Sequence, residues 1–134
     1  MAKYEIDLSS TNINKADIED WFTRNRFTKI EFSGKKEFLS TFYKGETVGF
    51  KIKKIEGFDT FYKESSGGTM LIFEYKIANN KLFYNCYAPL WLFGIWTKKI
   101  EFKEETNKRS LHLQEGFKIR QAFESWIGKQ KRNK

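Results

Sequence analysis

Cysteine and histidine each occur once in the chain, as Cys86 and His112. That scarcity excludes a disulfide framework and a structural metal site built from cysteine and histidine ligands. Proline also occurs once, and the nine glycines are scattered, so no long flexible linker separates two parts. No apolar run is long enough to span a bilayer, which takes about 20 residues. The longest uncharged stretch, Leu82 to Thr97, contains Asn85 and Pro89 and begins with the alternation of a strand. The N-terminus shows no apolar segment of the secretory kind, so a cytoplasmic location is expected, and a lone thiol agrees with a reducing compartment.

What the chain has in excess is rings and lysine. Aromatic residues make up 18% of its 134 positions, and Lys and Arg exceed Asp and Glu by eight charges. Half of that excess lies in the last six residues, Lys129 to Lys134, which read as a basic tail on a single domain covering residues 1–128. Solvated charged ends are common, so the tail says less about a partner than a basic body would.

Along the chain, Tyr4, Ile6 and Leu8 alternate with polar residues as a half-buried strand does. After Asn14, Ile18, Trp21 and Phe22 fall on one helical face, with acids early and Arg24 and Arg26 late, as the helix dipole favours. From Thr28 the period returns to two. A turn at Gly45-Glu46 would set Tyr43 against Val48, Thr41 against Phe50 and Leu39 against Ile52. Asn79-Asn80 suits a type I′ turn that pairs Ile77 with Leu82, Tyr75 with Tyr84 and Phe73 with Cys86, sorting one face almost wholly apolar. After another strand at Ile100 and Phe102, the chain closes in a helix with Ile119, Ala122, Phe123, Trp126 and Ile127 on one face and Gly128 as its stop.

The expected fold is α+β: a strongly curved antiparallel meander of about six to seven strands, with one N-terminal and one C-terminal amphipathic helix against its apolar face. That element order is similar to the helix-grip folds, in which a curved sheet wraps a C-terminal helix around a cavity. A PH-like barrel is the alternative.

No phosphate loop, nucleophile elbow or paired metal-ligand spacing appears, so neither a cofactor nor a metal is expected and no catalytic residue is assigned. The residues favour a binding domain for an apolar or amphipathic small molecule, or a protein partner, held in an aromatic-rich cavity or groove lined by Tyr75, Tyr84, Trp91, Phe93 and Trp96. Lys51 and Lys53 share a strand face and are candidate anion contacts. They support a first alternative, a binder of nucleic acid or of an anionic membrane surface. An enzyme using Glu74, read as a solvent-facing strand residue beside Asn85, is the second.

Overall fold

The structure, a computed structural model, describes residues 4–43, 46–64, 70–92, 96–101 and 111–130, and the side chains of 4–36, 52–64, 70–88 and 115–130. In chain order these form β1 (Tyr4–Asp7), α1 (Lys15–Arg24), β2 (Thr28–Lys29), β3 (Lys36–Tyr43), β4 (Glu46–Lys53), β5 (Asp59–Glu64), β6 (Met70–Ala78), β7 (Lys81–Leu92), β8 (Trp96–Glu101) and α2 (Leu111–Lys129).

The β6–β7 hairpin is the frame. Asn79 and Asn80 adopt φ of 55° and 61°, the left-handed pair that a type I′ turn requires. That turn fixes the expected register: Ile77 opposite Leu82, Tyr75 opposite Tyr84, Phe73 opposite Cys86. β7 runs far past β6, and its outer edge is shared. Its first residues pair with β1 and its last with β8. On the other side β5 pairs with β6, and the short β2 with β5.

A single meander of six to seven strands does not form. The continuous path holds five strands, β1-β7-β6-β5-β2, with β8 joined to β7 off that path, and it does not close into a barrel. β3 and β4 pair only with each other, and β4 crosses near β7 and β8 as a separate ribbon. Its register also differs from expectation by two residues: Tyr43 pairs with Glu46, Thr41 with Val48 and Leu39 with Phe50. A shift of two leaves every residue on the same face, so the apolar pattern is satisfied by either pairing.

One face of the main sheet is covered by both helices. Asn14 caps α1 reciprocally: its side chain accepts from the Asp17 N–H at 3.0 Å, and the Asp17 carboxylate accepts from the Asn14 N–H at 2.9 Å. The helix ends in a Schellman turn, with Phe27 N–H donating to Phe22 carbonyl and Arg26 N–H to Thr23 carbonyl. Arg26 occupies the left-handed position at φ 69°, where glycine is usual. Between its ends α1 buries Ile18, Trp21 and Phe22 against Phe61, Phe73 and Tyr75 of the sheet and Phe123 of α2. Phe22 is the hub: its ring centroid lies 4.7 Å from Phe61 and 5.4 Å from both Phe73 and Phe123.

The helix-grip comparison implied a cavity between sheet and C-terminal helix. Among the described residues, rings meet across that space. Phe123 reaches Phe73 at 5.7 Å and Tyr84 at 5.4 Å, and Trp126 stacks beside it at 6.3 Å. α2 also continues through Gly128 to Lys129 rather than stopping before the glycine. Gly128 has no neighbour within 4 Å of its would-be Cβ, so an exposed glycine one residue from the helix end costs only about 1 kcal/mol.

The opposite face carries a second, smaller core of Ile30, Ile52, Met70, Ile72 and Tyr87, with Phe32 and Tyr62 at its edge. Ile30 joins it just after β2, its N–H donating to the Thr60 carbonyl at 2.8 Å. Both faces of β6 are thus buried, which is why Met70 to Tyr75 read as a continuous apolar run broken only by Glu74.

Candidate functional site

Where α1 begins, the helix and the sheet part to leave a half-open cleft of about 410 Å³, lined by Ile13, Asn14, Lys15, Gly57, Asp59, Tyr75, Lys76 and Ile77. Three separate segments build it. The turn that leads into α1 supplies Ile13 to Lys15. Gly57, in the left-handed region at φ 83°, turns the chain into β5 and brings Asp59 to the rim. β6 contributes Tyr75 and Ile77 from the helix-covered face.

Ile13, Ile77 and the ring of Tyr75 make an apolar wall. The rim is ionic. The Lys15 ammonium lies 3.0 Å from an Asp59 oxygen and 3.8 Å from Glu19, while Lys29 approaches Asp59 at 3.9 Å and Glu19 at 3.7 Å. Hydrogen bonding to Asp59 holds the Lys15 ammonium above the ordinary lysine range. The Tyr75 hydroxyl donates to Glu19 at 3.3 Å; burial first, and the charges of Glu19 and Asp59 next, push its ionisation far above that of a free phenol. Lys76 leans the other way, over the rings of Phe58 and Phe83 at 5.4 and 5.7 Å. A groove with an apolar wall and a charged rim can seat an amphipathic molecule.

Of the residues expected to line one site, the side chains of Tyr75 and Tyr84 are described, and the two serve different places. Tyr75 closes the back of the cleft. Tyr84, its partner in register, is fixed inside the core: it stacks on Tyr4 at 5.2 Å and its hydroxyl donates to Glu124, which also pairs with Arg120 at 3.2 Å. Arg120 lies over the Tyr4 ring at 4.0 Å, so this cluster pins α2 to β1 and β7. Trp91 and Trp96 belong to the far end of the β7–β8 pair, opposite Thr97 and Leu92 respectively. Phe93 lies outside the described residues, as do the side chains of Trp91 and Trp96. Of the candidate anion contacts, Lys53 is exposed in β4, and Lys51 stands opposite Phe38 in register, with its side chain outside the described set.

Glu74 requires a correction. It is not solvent-facing: it is 1% exposed. Thr60, Glu74 and Asn85 are cross-strand neighbours on β5, β6 and β7 and form one transverse row. The Asn85 amide donates to Glu74 Oε2 at 2.9 Å, while Glu74 Oε1 and the Thr60 hydroxyl have no hydrogen-bond partner. Cys86 is buried on the helix-covered face as expected. Among the described residues no three His, Cys, Asp or Glu side chains gather as metal ligands, and no helix is long and apolar enough to cross a membrane.

Lys15 and Asp59 had no signal of their own in the sequence, since a lysine at a helix start and an aspartate at a strand start are ordinary surface residues. Comparison with family models, with curated proteins and with solved structures finds no match.

Proposed function

We propose that this protein is a non-catalytic binding domain for an amphipathic small molecule, taken up in the cleft beside Tyr75. The observation that carries this reading is a volume of about 410 Å³ with one apolar wall and a charged rim. That size falls within the roughly 300–1,000 Å³ of small-molecule sites. The apolar part of the ligand lies along Ile13, Tyr75 and Ile77, and its polar end meets Lys15, Asp59 and Asn14. The rim carries both signs of charge. It therefore favours a ligand with its own acceptor and donor over a plain hydrocarbon. Asp59 and Lys15 are already paired with each other, which suits them to exchange partners with a ligand rather than to abstract a proton.

Native mass spectrometry of the protein purified from its own host tests this directly. The expected result is a co-purified small-molecule mass on the parent chain that is absent from Ile77→Trp, whose larger ring fills the cleft. Retention of that mass in the filled variant, with the fold intact by circular dichroism, would remove the cleft as the site.

A further inference from the structure

We infer that the base of the β3–β4 ribbon is a docking surface for the phosphate backbone of single-stranded nucleic acid. Four exposed lysines occupy two successive positions of the ladder there, Lys36 with Lys53 and then Lys35 with Lys54, so the ribbon's end carries charge on both faces. Lys36 and Lys53 are opposite each other as the terminal register pair, and the Lys54 N–H donates to the Lys35 carbonyl at 2.8 Å, which continues the ladder by one step. Lys35, Lys53 and Lys54 enter none of the ion pairs among the described residues. Lys15, Lys29 and Lys81, by contrast, each sit within 4 Å of a carboxylate. Like charges directly opposed across a ladder cost stability. A polyanion reverses that cost, because each phosphate neutralised by lysine also releases a condensed counterion.

Two observations favour nucleic acid over a lipid surface. Ile52 is buried in the second core, so its neighbours Lys51 and Lys53 belong to the ribbon's other face, and the register partner of Lys51 is Phe38. Lysines alternating along an extended ribbon, with an aromatic residue in register, follow the plan of a single-strand platform. Insertion into a membrane interface needs a sizeable apolar face beside the charges. Here the flanking residues are Ser33-Gly34 on one side and half-buried Ile55 with exposed Glu56 on the other. The surface shares no residue with the cleft, so either can fail alone.

The test is fluorescence anisotropy with a labelled oligouridine of about 20 nucleotides, titrated against the full chain at several salt concentrations. The expected outcome is that Lys53→Glu/Lys54→Glu binds at least about tenfold more weakly than the parent. Its plot of log affinity against log salt should be shallower by about 1.4, from two lost contacts at roughly 0.7 each. Lys118→Glu, an exposed reversal on α2, should bind as the parent does, and Lys53→Gln/Lys54→Gln repeats the test should the double reversal disturb folding. Three results overturn the inference: parental binding in both hairpin double variants, equal loss in Lys118→Glu, or loss only on deleting residues 129–134. A parent that binds phosphatidylserine vesicles but not the oligonucleotide also overturns it, in favour of a lipid surface.

Discussion

The two faces of the main sheet solve the same burial problem in different ways. On the helix-covered face, apolar groups meet apolar groups, and the polar tips of Tyr75, Tyr84 and Arg120 find partners. Tyr75 donates to Glu19, Tyr84 donates to Glu124, and Arg120 pairs with Glu124 over the Tyr4 ring. On the other face the core is smaller, and it encloses a carboxylate oxygen and a hydroxyl with no partner. The ribbon beside that face ends in opposed lysines. Unsatisfied buried polar atoms and opposed like charges both cost stability, so their position is informative. The helix-covered face holds the fold together. The ribbon face retains groups that packing alone would not select.

The largest expected effect comes from alkali, and it reports on both faces at once. Burial raises the phenols of Tyr75, Tyr84 and Tyr87 far above the ordinary value of about 10. The unfolded chain loses these protons near pH 10 while the folded chain keeps them, so unfolding gains favour as pH rises. The stability they contribute is complete below about pH 10 and falls above it. An absorbance titration at phenolate wavelengths should therefore show a cooperative step coincident with loss of structure. Gradual ionisation of all six tyrosines about the free-phenol value would contradict the buried geometry.

Truncation at the hub follows. Phe22→Ala removes a ring by which α1 touches α2, β5 and β6, and should cost about 3–5 kcal/mol in a denaturant titration. Ile52→Val on the ribbon side removes one methyl group from the smaller core and should cost about 0.5–1.5 kcal/mol. Equal losses at the two sites would erase the contrast between the faces.

How much of this was legible in the sequence follows the same division. The Asn79-Asn80 turn, the pairing around it and the capped helix after Asn14 all depend on residues close in sequence, and each could be read from spacing. The ribbon register could not, because Gly45-Glu46 and the observed pairing of Tyr43 with Glu46 leave the same residues on the same faces. Gly128 resembled a stop but lies inside the helix, since the residues around it still favour the helical turn. The ring contacts under α2 were hidden because periodicity shows which side of a helix is apolar and not how deeply its rings interlock. Glu74 was misjudged for a related reason. Its neighbours on the mixed face, Asn85 and Lys76, are polar, so nothing in its own hairpin marks it as 1% exposed. The cleft was illegible as a unit, because Ile13, Lys15 and Asp59 are unremarkable until the fold joins them to Tyr75.

Glu74 offers a sharper test than truncation, because the sign of its effect is opposite. Glu74→Gln keeps an acceptor for the Asn85 amide and replaces the buried, partnerless carboxylate oxygen with a neutral amide group that costs less to bury. The substitution should raise stability by about 1–2 kcal/mol, the order of the cost of leaving a buried polar group unsatisfied. A loss of stability in a denaturant titration would mean that the row is already satisfied and that the contrast between faces is overstated.

The smallest effect is expected at the ribbon base, where it separates the needs of folding from those of binding. Lys53→Glu converts the cross-strand Lys36–Lys53 pair from like to opposite charge. A change of that kind is worth roughly 0.2–1 kcal/mol in a sheet, so the variant should be slightly more stable, most visibly at low salt. A gain in stability together with weaker oligonucleotide binding is the combination that a retained, costly charge pair requires. A variant less stable than the parent would show that the lysine serves the fold, and the ribbon base would then need no ligand to explain it.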